Sequence, residues 1–531
     1  MNLQMLKMAL IAYVNSAKAI WSAIAHPLSI ISKKATMLKS YRIYGNSVQD
    51  GEPTPDSPIE VQSVGELTKN LYDANTYPLT QKKYINGTEG YSSGTSVDYI
   101  GCTLDYIPCQ DLRGKTITIN KAIGNLAGIA FYDASKTYIS GRNHGVPSAV
   151  AEPRAIDVPE EAVYMRFSAM YTDDVQIEEG DTATEYEPYN KYKVPVTARG
   201  KNLFKYLTGQ WDNITLIEAL ESGDIVAGNP SSGDHVNSYA SGWYRPGVSE
   251  SGGICPVLHT GDMVTVSADI TLIELRRGTE YCPSIHLYTR ELNSGHTSNG
   301  TAPVGVGETV RISRTYTIAE KYDGCAFYPI IPVNGNVVKI ENLQIAYGDD
   351  SQYEPYIEPQ TYNMYLDEPL RKIGDYADCV DFEKGVVVRN VKNKIFTGDE
   401  NFGAVGQSST SKLYRYAIGM TDMPNLYSDY ILVSNYFLTG NNRVLDNSSV
   451  PSVGIFSTSR IAFSTAIATK AEFQNWIKNL YASNPLYVYY PLTNSVEEPI
   501  SLPNLPQFKG TTVYEVQQDI PPSGIEVCYY E

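Results

Sequence analysis

The chain has 531 residues, which at roughly 150 per domain makes about three or four domains. Its 42 Tyr against 12 Phe, with 41 Gly, 30 Pro and 19% charged residues, favour short strands and many turns over helices. A net charge of −17 argues against a nucleic-acid partner, because neutralising phosphates takes clustered Lys and Arg.

The charge is unevenly placed. Residues 1–42 carry Lys7, Lys18, Lys33, Lys34, Lys39 and Arg42 without one Asp or Glu, so this segment is +6 and the remainder −23. The N-terminus is therefore expected to meet a different partner from the body. Within residues 1–40, Leu3, Leu6, Leu10, Tyr13, Ala17, Ile20 and Ile24 alternate three- and four-residue steps up to Pro27. That is a heptad seam, and it predicts a helical segment that self-associates or docks on a partner. A membrane-surface helix is the alternative, since basic amphipathic helices also bind anionic lipid. Met8–Val14 with Ala17, Lys18 and Ala19 also reads as a secretory signal, but a docking helix is favoured. Lys7, Asn15, Lys18 and His26 interrupt the run, so no transmembrane segment is expected.

Residues 41–68 read as a β connector. Two alternating stretches, 41–47 and 59–65, flank the Pro-rich turn 50–58.

Residues 69–358 hold a repeat, the pattern that must be found before any fold is assigned. Residues 69–190 open with Lys69-Asn70-Leu71-Tyr72-Asp73 and close with Gln176-Ile177-Glu178-Glu179-Gly180-Asp181, then Tyr186-Glu187-Pro188-Tyr189. Residues 191–358 contain Lys201-Asn202-Leu203-Phe204-Lys205 and close with Gln344-Ile345-Ala346-Tyr347-Gly348-Asp349, then Tyr353-Glu354-Pro355-Tyr356. Strands are expected near 115–120, 128–133 and 164–168, and in the second copy near 263–270 and 337–345, with turn clusters at the spacing of a β-sandwich. The tails are expected to act as structural closures whose tyrosines fold back on each module. Residues 293–307 read as a long loop. Trp211, Tyr239, Trp243 and Tyr244 lie among Gly, Ser and Asn and are the candidate aromatic platform for a sugar ring. A core role for the tryptophans stays open.

Residues 359–531 read as a C-terminal β-rich domain. Thr469 and Glu472 form a capping box ahead of Phe473, Trp476, Ile477 and Leu480, predicting one helix over 470–481. The ending 524–530 predicts a terminal strand that closes this domain on itself. The fold class is thus mainly β: tandem sandwich modules, an N-terminal helix and a C-terminal β-rich domain with one helix.

Catalytic patterns are missing. The six histidines, His26, His144, His235, His259, His286 and His296, form no zinc motif, and no nucleophile–base pairing is apparent. No catalytic residue, metal ligand or cofactor is assigned. Calcium is compatible with acidic pairs such as Asp173-Asp174 and Asp349-Asp350, but no calcium loop is present. Glu160-Glu161 and Glu178-Glu179 read as solvated charges. The seven cysteines read as mostly free and buried, with Cys102 and Cys109 close enough in sequence to bridge.

The string Gly45–Gly65, GNSVQDGEPTPDSPIEVQSVG, followed by Lys69–Asp73, resembles the opening segment of structural proteins in tailed phages: baseplate, minor tail or fibre components. The order of motifs in 128–180 resembles the carbohydrate-binding jelly-roll modules of phage tail proteins, and 366–389 is similar to a recurrent phage structural cassette. The resemblance implies a virion protein, made in the host cytoplasm, that displays jelly-roll modules toward a host cell-surface glycan. It implies attachment to other virion proteins through the N-terminal helix, a homotrimer, and no enzyme activity. The alternatives are a virion-borne glycan hydrolase and a structural spacer or head-fibre protein without glycan affinity.

Overall fold

The computed structural model describes residues 29–32, 38–49, 51–147, 149–205, 210–212, 215–219, 225–228, 243–245, 255–276, 278–292, 294–332, 336–408, 412–424, 432–439, 450–455, 459–506, 508, 511–516 and 518–529. The heptad residues Leu3, Leu6, Leu10, Tyr13, Ala17, Ile20 and Ile24, and with them the expected N-terminal helix, lie outside the described residues. The chain divides into two compact units, one of Ser63–Val194 with Asn363–Leu370, the other of Met1–Gln62, Pro195–Tyr362 and Arg371–Glu531.

The first unit is a β-sandwich. Its larger sheet runs in the order Tyr138–Asn143, Gly128–Tyr132, Tyr164–Met170, Ile100–Thr103, Leu79–Gln81, and its smaller one Glu152–Asp157, Thr116–Ala122, Ile177–Glu179. Alternation along the strands explains the core: Ile117 and Ile119 face Ile129, Phe131, Met165 and Phe167 across the layer. Full burial of each such side chain stabilises the module by about 1.5–3 kcal/mol. The outer face of the larger sheet is also covered, by a hairpin of Lys83–Ile85 and Ser92–Gly94. Ile85 N donates to Ser168 Oγ at 2.8 Å, and the Tyr132 and Tyr138 hydroxyls donate to the Gly90 and Gly87 carbonyls at 2.5 and 3.1 Å. Backbone meets backbone here. A Cβ at Gly141 would stand 2.2 Å from Gly87 O, so glycine is required.

This arrangement rules out a Cys102–Cys109 bridge. Both thiols are free and buried, but Cys102 belongs to the cluster under the hairpin and Cys109 to the inter-sheet core. Burial pushes them to about 11 and about 12.

In the other unit, the second sandwich has one sheet ordered Thr215–Ala219, Ile225–Gly228, Val337–Tyr347, Met263–Glu274, Thr309–Thr317. The facing sheet runs Gln210–Asp212, Trp243–Arg245, Cys325–Pro332, His286–Thr289, Gly295–His296. Val264, Val266, Ala268 and Ile270 alternate inward against Phe327, Ile330 and Ile345.

The C-terminal region departs from expectation, because it does not close on itself. Gly524–Tyr529 pairs with Leu38–Tyr44, with Ile43 opposite Ile525, and that strand pairs in turn with Cys379–Asp381. The start of the segment read as a connector, with residues 38–40 before it, therefore supplies the strand next to the C-terminal one at the edge of this sheet. Thr512–Glu515 lies between Ser29–Ser32 and the end of Tyr192–Gly200, and Arg199 forms a buried ion pair with Glu515. A strand pairs through backbone groups that carry no address, and local sequence does not say which distant segment a last strand will lie beside. The helix Lys470–Tyr481 follows expectation, with its capping box formed and Phe473 and Ile477 buried among Phe396, Phe402 and Phe463.

Candidate functional site

Each sandwich is closed by the same polar latch. In the first module Asn70, 4% exposed, donates through Nδ2 to Val175 O and Glu187 O at 3.3 and 3.1 Å, and its Oδ1 accepts from Tyr72 N and Ile177 N at 2.9 and 3.2 Å. Gln176 Oε1 accepts the Glu187 N–H at 2.7 Å, while its Nε2 donates to Glu178 Oε1 at 2.8 Å. In the second module Asn202 donates to Leu343 O at 3.2 Å and accepts from Phe204 N and Ile345 N at 3.1 and 3.3 Å; Gln344 Oε1 accepts the Glu354 N–H at 2.9 Å. The repeated Asn and Gln are thus the residues that satisfy buried backbone where the tail leaves the last strand.

Glu178 corrects the reading of the acidic pairs as solvated. It is 2% exposed and accepts from Thr184 N and Oγ1 at 2.8 and 2.6 Å. Burial opposes its ionisation, yet the hydrogen bonds from Thr184 and Gln176 prevail and hold the carboxyl below the usual glutamate value. Glu160, Glu161 and Glu179 are exposed as expected.

The latch carries the tail across one end of the first sandwich, and there a groove of about 690 Å³ opens. Three segments line it: Asn70–Leu79 in part, Tyr171–Val175, and Tyr186–Lys191. Tyr171, Tyr186 and Tyr189 are 47%, 36% and 40% exposed. The first module's tail tyrosines, Tyr186 and Tyr189, therefore do not fold back into the module but border the groove, whereas Tyr353 and Tyr356 of the second tail are half-buried. Tyr171 is fixed by its backbone N–H to Tyr99 O at 2.8 Å, with its ring against Gly101, where a Cβ would stand 2.9 Å from Cδ2. Buried Tyr72 anchors the opposite wall through its hydroxyl to Tyr77 O at 2.8 Å. Asn75, Thr172, Asp173 and Lys191 supply polar groups around the rings. Burial first, then the charges of Asp174 and Asp173, raise the Tyr186 hydroxyl, so it stays a neutral donor. Part-exposed rings among a few polar groups can take the apolar face of a small cyclic ligand and bond its hydroxyls.

The predicted platform of the second module is only partly placed. Trp211 stands opposite Tyr244, and Trp243 opposite Asp212 and Pro332, in one sheet. Their side chains and Tyr239 lie outside the described residues. The stretch read as a long loop, 293–307, is anchored at several points where described. Ser298 N donates to His286 Nδ1 at 2.9 Å, and Val304 N to Tyr281 O at 2.9 Å. Tyr171 stands outside the repeated motifs and has no local signal in the sequence, while Tyr186 and Tyr189 belong to the repeated tail, whose recurrence marks a closure rather than a site. Among the described residues no group of three or more His, Cys, Asp or Glu could hold a metal ion, and no helix is long and apolar enough to cross a membrane.

Fold and groove together define a modular β-sandwich protein with an aromatic-bordered surface site. No family model matches the chain, and no curated protein does. Among solved structures it is similar to the N-terminal CBM22-1-CBM22-2 tandem domain of Xyn10C from Paenibacillus barcinonensis, at 9% identity and a TM-score of 0.23, over 54% of this chain and 98% of that one.

Proposed function

We propose that the chain is a host-attachment protein of a tailed-phage virion, a baseplate, minor tail or fibre component, that binds cell-surface glycan through its β modules without cleaving it. The observation that carries the binding part is the groove of the first module, with Tyr171, Tyr186 and Tyr189 part-exposed around it. The virion part is supported by the resemblance of Gly45–Gly65, Lys69–Asp73 and the 366–389 cassette to phage structural proteins. In this reading the protein is made in the host cytoplasm and carried in the particle. The seam from Leu3 to Ile24 joins three copies and docks them on other virion proteins. Weak sugar contacts then reinforce one another, since each further contact is intramolecular at an effective concentration near the millimolar range. Binding is favoured over hydrolysis because Asp173 is the one carboxylate among the groove's lining residues, whereas glycoside cleavage ordinarily uses two.

A glycan array probed with the full chain and with a Tyr171→Ala/Tyr189→Ala double variant tests the reading. Retention of the same glycans by the double variant, or release of reducing ends from a bound polysaccharide, would sink it. Labelling intact particles with an antibody to the chain tests the virion assignment, which fails if purified particles lack the protein.

A further inference from the structure

The first sandwich is open along one side. Tyr138–Asn143 and Glu152–Asp157 are each the outer strand of their sheet, and they do not pair with each other. A cleft of about 460 Å³ lies in this seam, lined by Phe131, Ser140 and Arg142 from the larger sheet and by Thr116, Ile156 and Asp157 from the smaller one. It shares no lining residue with the tyrosine groove.

Arg142 is exposed, and its guanidinium makes no hydrogen bond or ion pair with the described residues. The other arginines of the first module are engaged: Arg113 donates to Ala162 O at 2.6 Å, Arg154 to His144 O at 3.0 Å and to Glu152, and Arg166 to Thr103 O at 3.4 Å. Across the cleft Thr116 Oγ1 donates to Asp157 Oδ1 at 2.6 Å. That bond orients the carboxylate and leaves Oδ2 without a partner among the described residues. Phe131 and Ile156 give the cleft an apolar floor.

A cleft lined by a fork of donors and, at its rim, by a carboxylate, over an apolar floor, calls for a ligand that carries both an anion and hydroxyl donors. A simple phosphate or sulfate meets Arg142 but is repelled by Asp157. A neutral sugar satisfies Asp157 and leaves the guanidinium unused. We propose that the seam is a subsite for an acidic sugar residue, its carboxylate held by Arg142 in the two-pronged geometry that guanidinium favours and its hydroxyls by Asp157 and Ser140. This rests on the reading of the first module as a glycan binder.

Calorimetry on the full chain decides it, using an oligosaccharide that ends in glucuronic acid and the same oligosaccharide with its carboxyl reduced to the alcohol. The acidic form binds at least about tenfold more tightly, as a charge-assisted pair predicts, and the preference shrinks as salt rises. Arg142→Gln removes the preference; Arg142→Lys retains part of it; Asp157→Asn weakens both forms and keeps their ratio. No binding of either form, equal binding by the natural chain, or a preference that survives Arg142→Gln overturns the subsite. Tyr171→Ala separates the two sites: unchanged affinity for both forms condemns the groove and leaves the seam, whereas a parallel loss with the ratio intact supports both.

Discussion

Asn202 donates through Nδ2 to the carbonyl of Leu343 at 3.2 Å, joining residues 141 positions apart at the start and end of the second module. The same amide accepts from Phe204 N and Ile345 N, so one side chain satisfies three backbone groups, all in buried residues. Asn202→Ala removes all three partners at once. With about 1–3 kcal/mol lost for each buried group left unsatisfied, and some relief from entering water, the expected destabilisation is about 2–4 kcal/mol. Urea unfolding should show a lower midpoint with an unchanged slope.

Glu178 gives the first module a defined acid sensitivity. Its folded-state value lies below the ordinary glutamate value, so the folded state favours the ionised form. The contribution is fully present above the unfolded glutamate value, near pH 4.5, and is lost as pH falls through the folded value. Glu178→Gln should therefore cost stability near neutral pH and narrow its gap to the natural chain in acid. Thermal unfolding between pH 3 and pH 7 checks this, and a gap that widened in acid would contradict the sign.

The helix Lys470–Tyr481 provides a local test. Glu472 N donates to Thr469 Oγ1 at 3.2 Å and Thr469 N donates back to Glu472 Oε2 at 3.1 Å. Thr469→Ala should cost about 1 kcal/mol. Phe473→Ala, which empties a site 0% exposed, should cost about 3–5 kcal/mol. Differential scanning calorimetry of the two variants should rank them in that order.

Local and repeated features were the ones legible in the sequence. The capping box announces the helix because Thr469 and Glu472 lie three residues apart, and strands such as Gly128–Tyr132 and Tyr164–Met170 stand out as short runs between turn clusters, although burial on both faces removes the alternation of a half-exposed strand. The latch was visible as a motif because Asn and Gln recur in both copies. Partners at long range were not legible: nothing in 524–530 says that it lies beside Leu38–Tyr44. The groove was hidden for a related reason. Its three segments are separated in sequence, and Tyr171 becomes informative only once the backbone sets it beside Tyr186 and Tyr189.

The C-terminal strand should be indispensable to the sheet it completes. Deleting residues 524–531 leaves Leu38–Tyr44 with an open edge beside Cys379–Asp381 and uncovers Ile43, which is 0% exposed in the intact chain. An open, apolar edge is a site for aggregation. Limited proteolysis should show early cleavage within the C-terminal region and survival of a fragment that contains residues 63–194. Equal protection of both regions would mean that Leu38–Tyr44 does not depend on its outer partner.

Tyr171 separates binding from folding. Its ring is 47% exposed and rests on Gly101 rather than in the core, so Tyr171→Ala should change stability by no more than about 0.5 kcal/mol, the usual range for surface substitutions. A stacking partner for a sugar ring contributes about 1 kcal/mol if it resembles an aromatic pair, which is roughly a fivefold loss of affinity. Tyr171→Phe should retain most of that affinity if the ring face is what matters, and should fall with Tyr171→Ala if the hydroxyl is. Tyr72→Ala is the contrasting case. It removes a ring set edge-on to Phe167 at 4.9 Å, so its stability should fall, and a loss of binding that accompanies that fall is not assigned to the groove. Titrating the three variants with a glycan retained by the natural chain, alongside their thermal midpoints, resolves the two effects. A Tyr171→Ala chain that melts early would place the residue in the fold instead of the site.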